Sequence, residues 1–304
     1  MRFLKFITAE PFRLLLVGLV AAVLVSAQTA GSSAAFPVGL GPEGVITDGA
    51  SVFVANQFSN TVTKLNASDG TLVGTYTVGH RPVALAFDGA FVWVANYLGN
   101  TAMKLDPASG AIVGTYAVGE GPGGLLVTNG SVWVANRGSN TLTKLRAADG
   151  VTLGTFEVGT RPIAMATDGE HIYVTNNSSD TVTKLRESNG VVVATFPAGD
   201  GPFGITFSGA SLWVANFGSG NVMKLSVTGV VAGTYKAGDG PLAAVSGDGV
   251  IYVVNNGGDS VTKLSAADGT NLGSIAVGRS PIGIAVSGSN VWVTNSGSNT
   301  VSKR

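Results

Sequence analysis

One phrase recurs along this chain at a fixed interval, and the interval constrains the fold more than any other feature. Val54 to Leu65 reads VANQFSNTVTKL, and it returns as VANYLGNTAMKL, VANRGSNTLTKL, VTNNSSDTVTKL, VANFGSGNVMKL, VVNNGGDSVTKL and VTNSGSNTVSK. The marking asparagines are Asn56, Asn96, Asn136, Asn176, Asn216, Asn255 and Asn295. Their period of about 40 residues belongs to architectures in which each unit can bury its apolar faces only against its neighbours. A Gly-x-x-Pro turn precedes each copy, with prolines Pro42, Pro82, Pro122, Pro162, Pro202, Pro241 and Pro281. All but the last copy are followed by a segment resembling GTLVGTYTVG.

Each unit divides into four short runs of strand composition separated by turn residues. In the second copy these are VALAFDG, FVWVAN, NTAMKLD and AIVGTYAVG, with Asp-Gly, Asn and Pro-Gly clusters between them. Four-stranded units repeated in this way predict an all-β fold, a seven-bladed β-propeller with repeats starting near 38, 78, 118, 158, 198, 237 and 277. The seventh copy ends after its third strand. The segment GSSAAFPVGLGP, from Gly31, aligns with the missing fourth strand and places Phe36 where Tyr76, Tyr116, Phe156, Phe196, Tyr235 and Ile275 stand. The N-terminal strand is therefore expected to complete the last blade and remove an exposed sheet edge.

Composition narrows the function classes. The formal net charge is zero, so no basic field exists to hold nucleic acid. The chain contains no cysteine, which excludes disulfides, thiolate nucleophiles and thiolate-held metals. Arg2, Lys5 and Arg13 precede an uncharged apolar run from Leu14 to Ala27, too short for a spanning helix and ending in the small residues Val25-Ser26-Ala27. Residues 1–27 are read as a signal peptide and 28–304 as the propeller. The expectation is a secreted or periplasmic monomer with no stable membrane span after signal cleavage.

The run Ile172-Tyr173-Val174-Thr175-Asn176 and its equivalents resemble the YVTN family of β-propeller repeats, related in pattern to NHL-type propellers. The resemblance covers nearly all of residues 28–304 and implies a fold. Members of such families include surface-layer proteins and exported proteins of varied role, so no activity follows from it.

Residues shared by every blade are read as structural. The aromatic ring of Phe53, Trp93, Trp133, Tyr173, Trp213, Tyr252 and Trp292 is expected to fill the gaps between blades. The repeated asparagine is read as a turn residue bonding backbone. The lysines Lys64, Lys104, Lys144, Lys184, Lys224, Lys263 and Lys303 are expected to meet turn carboxylates such as Asp48, Asp88 and Asp168.

Function is sought where the blades differ. On the face bearing the Gly-x-x-Pro turns, the first three blades replace the Gly/Ser consensus with Phe58, His80, Arg81, Tyr97, Leu98 and Arg137. Exposed rings beside guanidinium and imidazole groups have the composition of binding hot spots. Phe217, Arg161 and Arg279 add to the same rim. The expected partner is a protein, a glycan or a small ligand.

A metal-dependent enzyme of the lyase or lactonase kind, resembling virginiamycin B lyase, is the alternative, and an architectural cell-surface protein a third. Catalysis by the former needs histidine and carboxylates grouped on one face. His80 and His171 are assigned to opposite faces, and the inner strands, read as GVIT, ALAF, GLLV, AMAT, GITF, AAVS and GIAV, carry no carboxylate before their closing turns. Glu43, Glu120, Asp200 and Asp239 lie at the rim, and the equivalent pair Asp200 and Asp239 is a weak candidate for a divalent ion. No catalytic residue and no cofactor is assigned.

Overall fold

The computed structural model describes residues 34–304; the segment read as a signal peptide, 1–27, lies outside them. Seven antiparallel four-stranded sheets follow one another along the chain. The first blade is β2 (Pro42–Thr47), β3 (Ser51–Asn56), β4 (Thr61–Asn66) and β5 (Leu72–Thr77). Five further blades repeat that order, and the seventh consists of β26 (Pro281–Ser287), β27 (Asn290–Asn295), β28 (Thr300–Lys303) and the N-terminal β1 (Ala34–Pro37). Strand β1 pairs with β28 in the register Ala34 with Lys303 and Phe36 with Val301. Phe36 lies 5.8 Å from Trp292, as Tyr116 lies 5.4 Å from Trp93 in the second blade. The innermost strands touch in sequence around a closed ring, with β26 against β2. The fold is thus the seven-bladed propeller that the repeat predicts.

The core is divided among the blade gaps. Trp93 packs with Val132, Val134 and Leu145 of the next blade, Trp133 with Ile172, Val174 and Leu185, and Trp292 with Val52, Val54 and Leu65 across the seam. Six of the seven repeated rings are fully buried. Tyr252 is the exception, being only partly buried, and it sits against Val291 and Val293. Burial of a large aromatic in every gap is worth about 1.5–3 kcal/mol each, which explains why the repeat keeps a ring there.

Two expectations about the repeat are corrected, the second of them in part. Six of the lysines cross to the following blade and donate to backbone carbonyls in its turn between third and fourth strands, as Lys104 Nζ does to Ala147 O at 2.7 Å and Ala148 O at 3.1 Å and Lys303 Nζ to Ala67 O at 3.0 Å across the seam; Lys263 faces the seventh blade, whose fourth strand is β1 and which has no such turn. The ammonium of each of these six also lies over its own blade's ring, as Lys224 Nζ does over Trp213 at 5.0 Å. Lys144 alone adds a carboxylate, Glu187, at 3.1 Å. Asp88 and Asp168 accept instead from Trp93 Nε1 and the Tyr173 hydroxyl, each at 2.8 Å. The repeated asparagine is fully buried and its amide nitrogen bonds side chains, as Asn56 Nδ2 donates to Thr61 and Thr63 hydroxyls at 3.1 and 2.9 Å, while the expected bond to backbone is met at Asn255 and Asn295, whose Oδ1 atoms accept from Gly238 N and Gly278 N at 3.0 Å. That explains the hydroxyls of the N-T-x-T phrase, since a buried amide needs fixed acceptors.

Candidate functional site

The face with the Gly-x-x-Pro turns is built by a short backbone clasp within each blade. The residue after the repeated asparagine donates its N–H to the residue before the proline: Gln57 to Gly41 at 3.1 Å, Tyr97 to Arg81 at 2.8 Å and Arg137 to Gly121 at 2.9 Å. The turn residue that the clasp grips is left-handed throughout. Four blades place glycine there, but Arg81 and Arg161 take φ of 57° and Ser280 takes 49°. Side chains with a Cβ rarely adopt that backbone, and such residues cluster at functional sites. An Asn or Asp of the preceding blade holds them, as Asn60 Oδ1 accepts from Arg81 N at 2.8 Å and Asn140 Oδ1 from Arg161 N at 2.8 Å.

Inside this rim, the residues that follow the seven prolines ring the mouth of the central channel: Glu43, Val83, Gly123, Ile163, Phe203, Leu242 and Ile282. They bound a cup of about 200 Å³. The expectation of a channel without carboxylate is corrected here. Strand β2 begins at Pro42, one turn of the pleat before the GVIT run, so Glu43 belongs to the innermost strand. Its backbone carbonyl accepts from the Thr294 hydroxyl of the seventh blade at 2.7 Å, which fixes its position.

Gly123 leaves the one gap in the ring, and Arg137 of the same blade fills it. A Cβ at position 123 would stand 1.9 Å from Arg137 Nε. The guanidinium enters the mouth through that gap, donating from Nη2 to Gly123 O at 3.0 Å and reaching within 3.9 Å of Glu43 Oε1. It lies 5.8 Å from the Phe203 ring of the fifth blade and 5.9 Å from the Tyr97 ring of the second. Tyr97 is also covered by Arg81 at 5.0 Å, and Arg81 Nε donates to Gln57 Oε1 at 3.1 Å.

Burial dominates the electrostatics of the pair. Loss of solvent raises the Glu43 carboxyl above its ordinary value, against the pull of Arg137 and Arg81. The same loss of solvent lowers Arg137, against Glu43 and Tyr97, while Arg161 and Arg81 push it further down. Both groups are therefore less comfortable charged than in water.

Of the six residues read as a site, the structure brings Arg81, Tyr97 and Arg137 together. Phe58 and Leu98 stand outside them on the open rim, 65% and 56% exposed, and His80 is exposed in the Arg81 turn. The members that the sequence reading missed are Glu43 as a channel residue, Gln57 and Phe203. A signal existed for the first: among residues following the prolines, only position 43 is charged and only position 123 is glycine. Asp200 and Asp239 each fold back on their own blade, Asp200 with its Cβ near Gly218 and Asp239 with its carboxylate near Gly257. Among the described residues no group of three or more His, Asp or Glu is placed to hold a metal ion. His171 sits 3.3 Å from Asp168 in the turn between first and second strands of the fourth blade.

A seven-bladed propeller with a charged and aromatic channel mouth is the class that fold and site define. Among solved structures, the chain is similar to a catalytically inactive virginiamycin B lyase from Staphylococcus aureus solved with quinupristin, at 19% identity and a TM-score of 0.78, covering 89% of this chain and 98% of that one. It is similar to a streptogramin B lyase at 18% identity and a TM-score of 0.78, covering 89% and 96%, and to hydrazine synthase from Kuenenia stuttgartiensis at 18% identity and a TM-score of 0.79, covering 91% and 98%. At these identities the likeness is one of fold. No family model matches the chain, and no curated protein sequence matches it.

Proposed function

We propose that this protein is an exported binding propeller that takes a ligand at the mouth of its central channel, beside Arg81, Tyr97 and Arg137 of the second and third blades, without chemical turnover. The observation that carries the reading is Arg137, threaded through the gap at Gly123 to within 3.9 Å of Glu43. A largely desolvated guanidinium is costly to maintain, and other blades show that the fold does not need it: Asn177 of the fourth and Asn256 of the sixth occupy the equivalent place. The strained turn at Arg81 and the exposed Phe58 and Leu98 beside it support the same face. A lyase of the kind found among its structural neighbours is the competing reading, and divalent-ion dependence of turnover would favour it.

The test is a thermal-shift screen with small acids, amides, oligosaccharides, lactones and divalent ions, run on the wild type and on Tyr97→Ala and Arg137→Ala. A ligand at a hundred times its dissociation constant adds about 2.7 kcal/mol of apparent stability. A stabilising compound whose effect disappears in both variants supports the reading. A compound that stabilises all three proteins equally, or a screen flat throughout, refutes this site.

A further inference from the structure

The chemistry of the channel mouth narrows the ligand, an inference that rests on the reading above. Glu43 and Arg137 face the cup, and Arg81 and Arg161 stand close enough to act on them. Three guanidiniums against one carboxylate leave the mouth positive. Arg137 makes a single side-chain hydrogen bond to protein among the described residues, to Gly123 O. Its Nε is buried without a partner, and the Glu43 oxygen at 3.9 Å is beyond hydrogen-bond reach. A guanidinium carries five N–H donors in a fork that matches a carboxylate through two parallel bonds. Around it the cup is apolar, lined by Val83, Leu125, Ile163, Phe203, Leu242 and Ile282.

We propose that the channel mouth binds a small organic acid, with its carboxylate on the Arg137 fork and its apolar body against Ile163, Phe203 and Leu242. The cup of about 200 Å³ is equivalent to about seven waters at roughly 30 Å³ each. The part of the ligand inside it is therefore a single ring or a short branched chain. Arg81 is a positioning residue: it holds Tyr97 under one edge of Arg137 and adds positive field. Glu43 shares the cup, so an ionised Glu43 repels the incoming acid and a protonated one does not. Acid binding is accordingly linked to proton uptake. The charged and titratable groups facing this pair are Arg81, Arg161 and Tyr97, with His80 exposed in the adjoining turn.

Isothermal titration of the purified protein with benzoate, phenylacetate and 4-methylvalerate, each against its neutral amide, tests this. The acids are expected to saturate one site, with the amides at least tenfold weaker. Arg137→Gln should weaken the acids tenfold or more, Arg137→Lys should recover part of that loss, and circular dichroism should show both variants folded. Wild-type affinity for acids should fall from pH 5 to pH 8 and do so equally in His80→Gln, whereas Glu43→Gln should bind more tightly and lose that pH dependence. Equal binding of acids and amides, abolished by Tyr97→Ala, would overturn the acid assignment and leave the ligand site standing. Acid binding unchanged by Arg137→Gln would overturn the placement at this mouth. No binding by acids or amides would overturn the inference, and a flat broader screen would remove the site reading with it.

Discussion

Arg81 and Arg161 present the same backbone problem and solve it for different reasons. Both sit at φ of 57° where four other blades use glycine, a conformation that costs an L-residue about 1–2 kcal/mol. Arg161 has an exposed side chain, so Arg161→Gly should relieve the strain, less the extra freedom that glycine gives the unfolded chain, and raise stability by about 0.5–1 kcal/mol. Arg81→Gly relieves the same strain but strands buried Gln57 and uncovers Tyr97. Its net gain should be close to zero, and ligand binding should weaken. Urea unfolding of the two variants side by side separates these outcomes; a loss of stability in Arg161→Gly would contradict the strain argument. Glu43 gives a second residue-scale prediction. Its carboxyl is raised in the fold by burial, so the native state holds a proton that the unfolded chain has released. The sign follows from linkage: its contribution is full below the ordinary carboxylate range and is lost as pH rises through the raised value. The difference in melting temperature between wild type and Glu43→Gln should therefore move against the wild type from pH 4 upward and then level off. A flat difference would show that Glu43 ionises in the fold as it does in water.

At the scale of the blade, the lysine of the third strand behaves as a clasp rather than as half of a surface ion pair. Lys104 spans a gap between blades to donate to two turn carbonyls, with its ammonium 4.2 Å from the Phe91 ring and 5.5 Å from the Trp93 ring. Lys104→Met keeps most of the stem and its packing but leaves carbonyls and rings without their cation, for a cost of about 1–3 kcal/mol. Lys144→Met should cost more, about 3–5 kcal/mol, because it leaves the Glu187 carboxylate buried without its ion pair. Chemical denaturation of both variants checks the order; equal losses would mean that Glu187 is held well enough by Trp133 and Asn129 alone. The clasp also shows where sequence reasoning was blind. The repeat made the lysines and the turn aspartates visible as rings, and charge suggested that they meet. Which turn a side chain reaches depends on how far one blade is rotated past the next, and no single repeat encodes that. The same blindness hid Arg137 entering the gap at Gly123, a relation between two positions of one blade that only the radial direction makes adjacent. Differences between blades did expose Arg81, Tyr97 and Arg137, because a repeat supplies its own background against which an odd residue stands out.

At the scale of the whole ring, the period alone was enough to give the architecture, since seven units that cannot bury their faces singly must close on one another. Closure depends on a short strand far from its partner in sequence. Strand β1 brings Phe36 against Trp292 and onto the β28 edge, and Asn299 Oδ1 accepts from Gly41 N at 2.9 Å to tie the last blade to the first. In every other blade the fourth strand arrives by a turn within the blade, whereas here it is continuous with the first blade and joined to the seventh only by non-covalent contacts. Opening the seam should therefore loosen the first and seventh blades before the others. Phe36→Ala should cost about 3 kcal/mol and lower the melting temperature by roughly 6–12 °C, at about 2–4 °C per kcal/mol for a domain of this size. The loss of amide-exchange protection should concentrate in β26 to β28 and in β2 to β5. Tyr116→Ala removes the equivalent ring from a blade whose fourth strand is covalently continuous, so its loss of protection should stay within the second and third blades. If both variants instead lose protection evenly around the ring, the propeller opens as one cooperative unit and the seam is no weaker than any other gap.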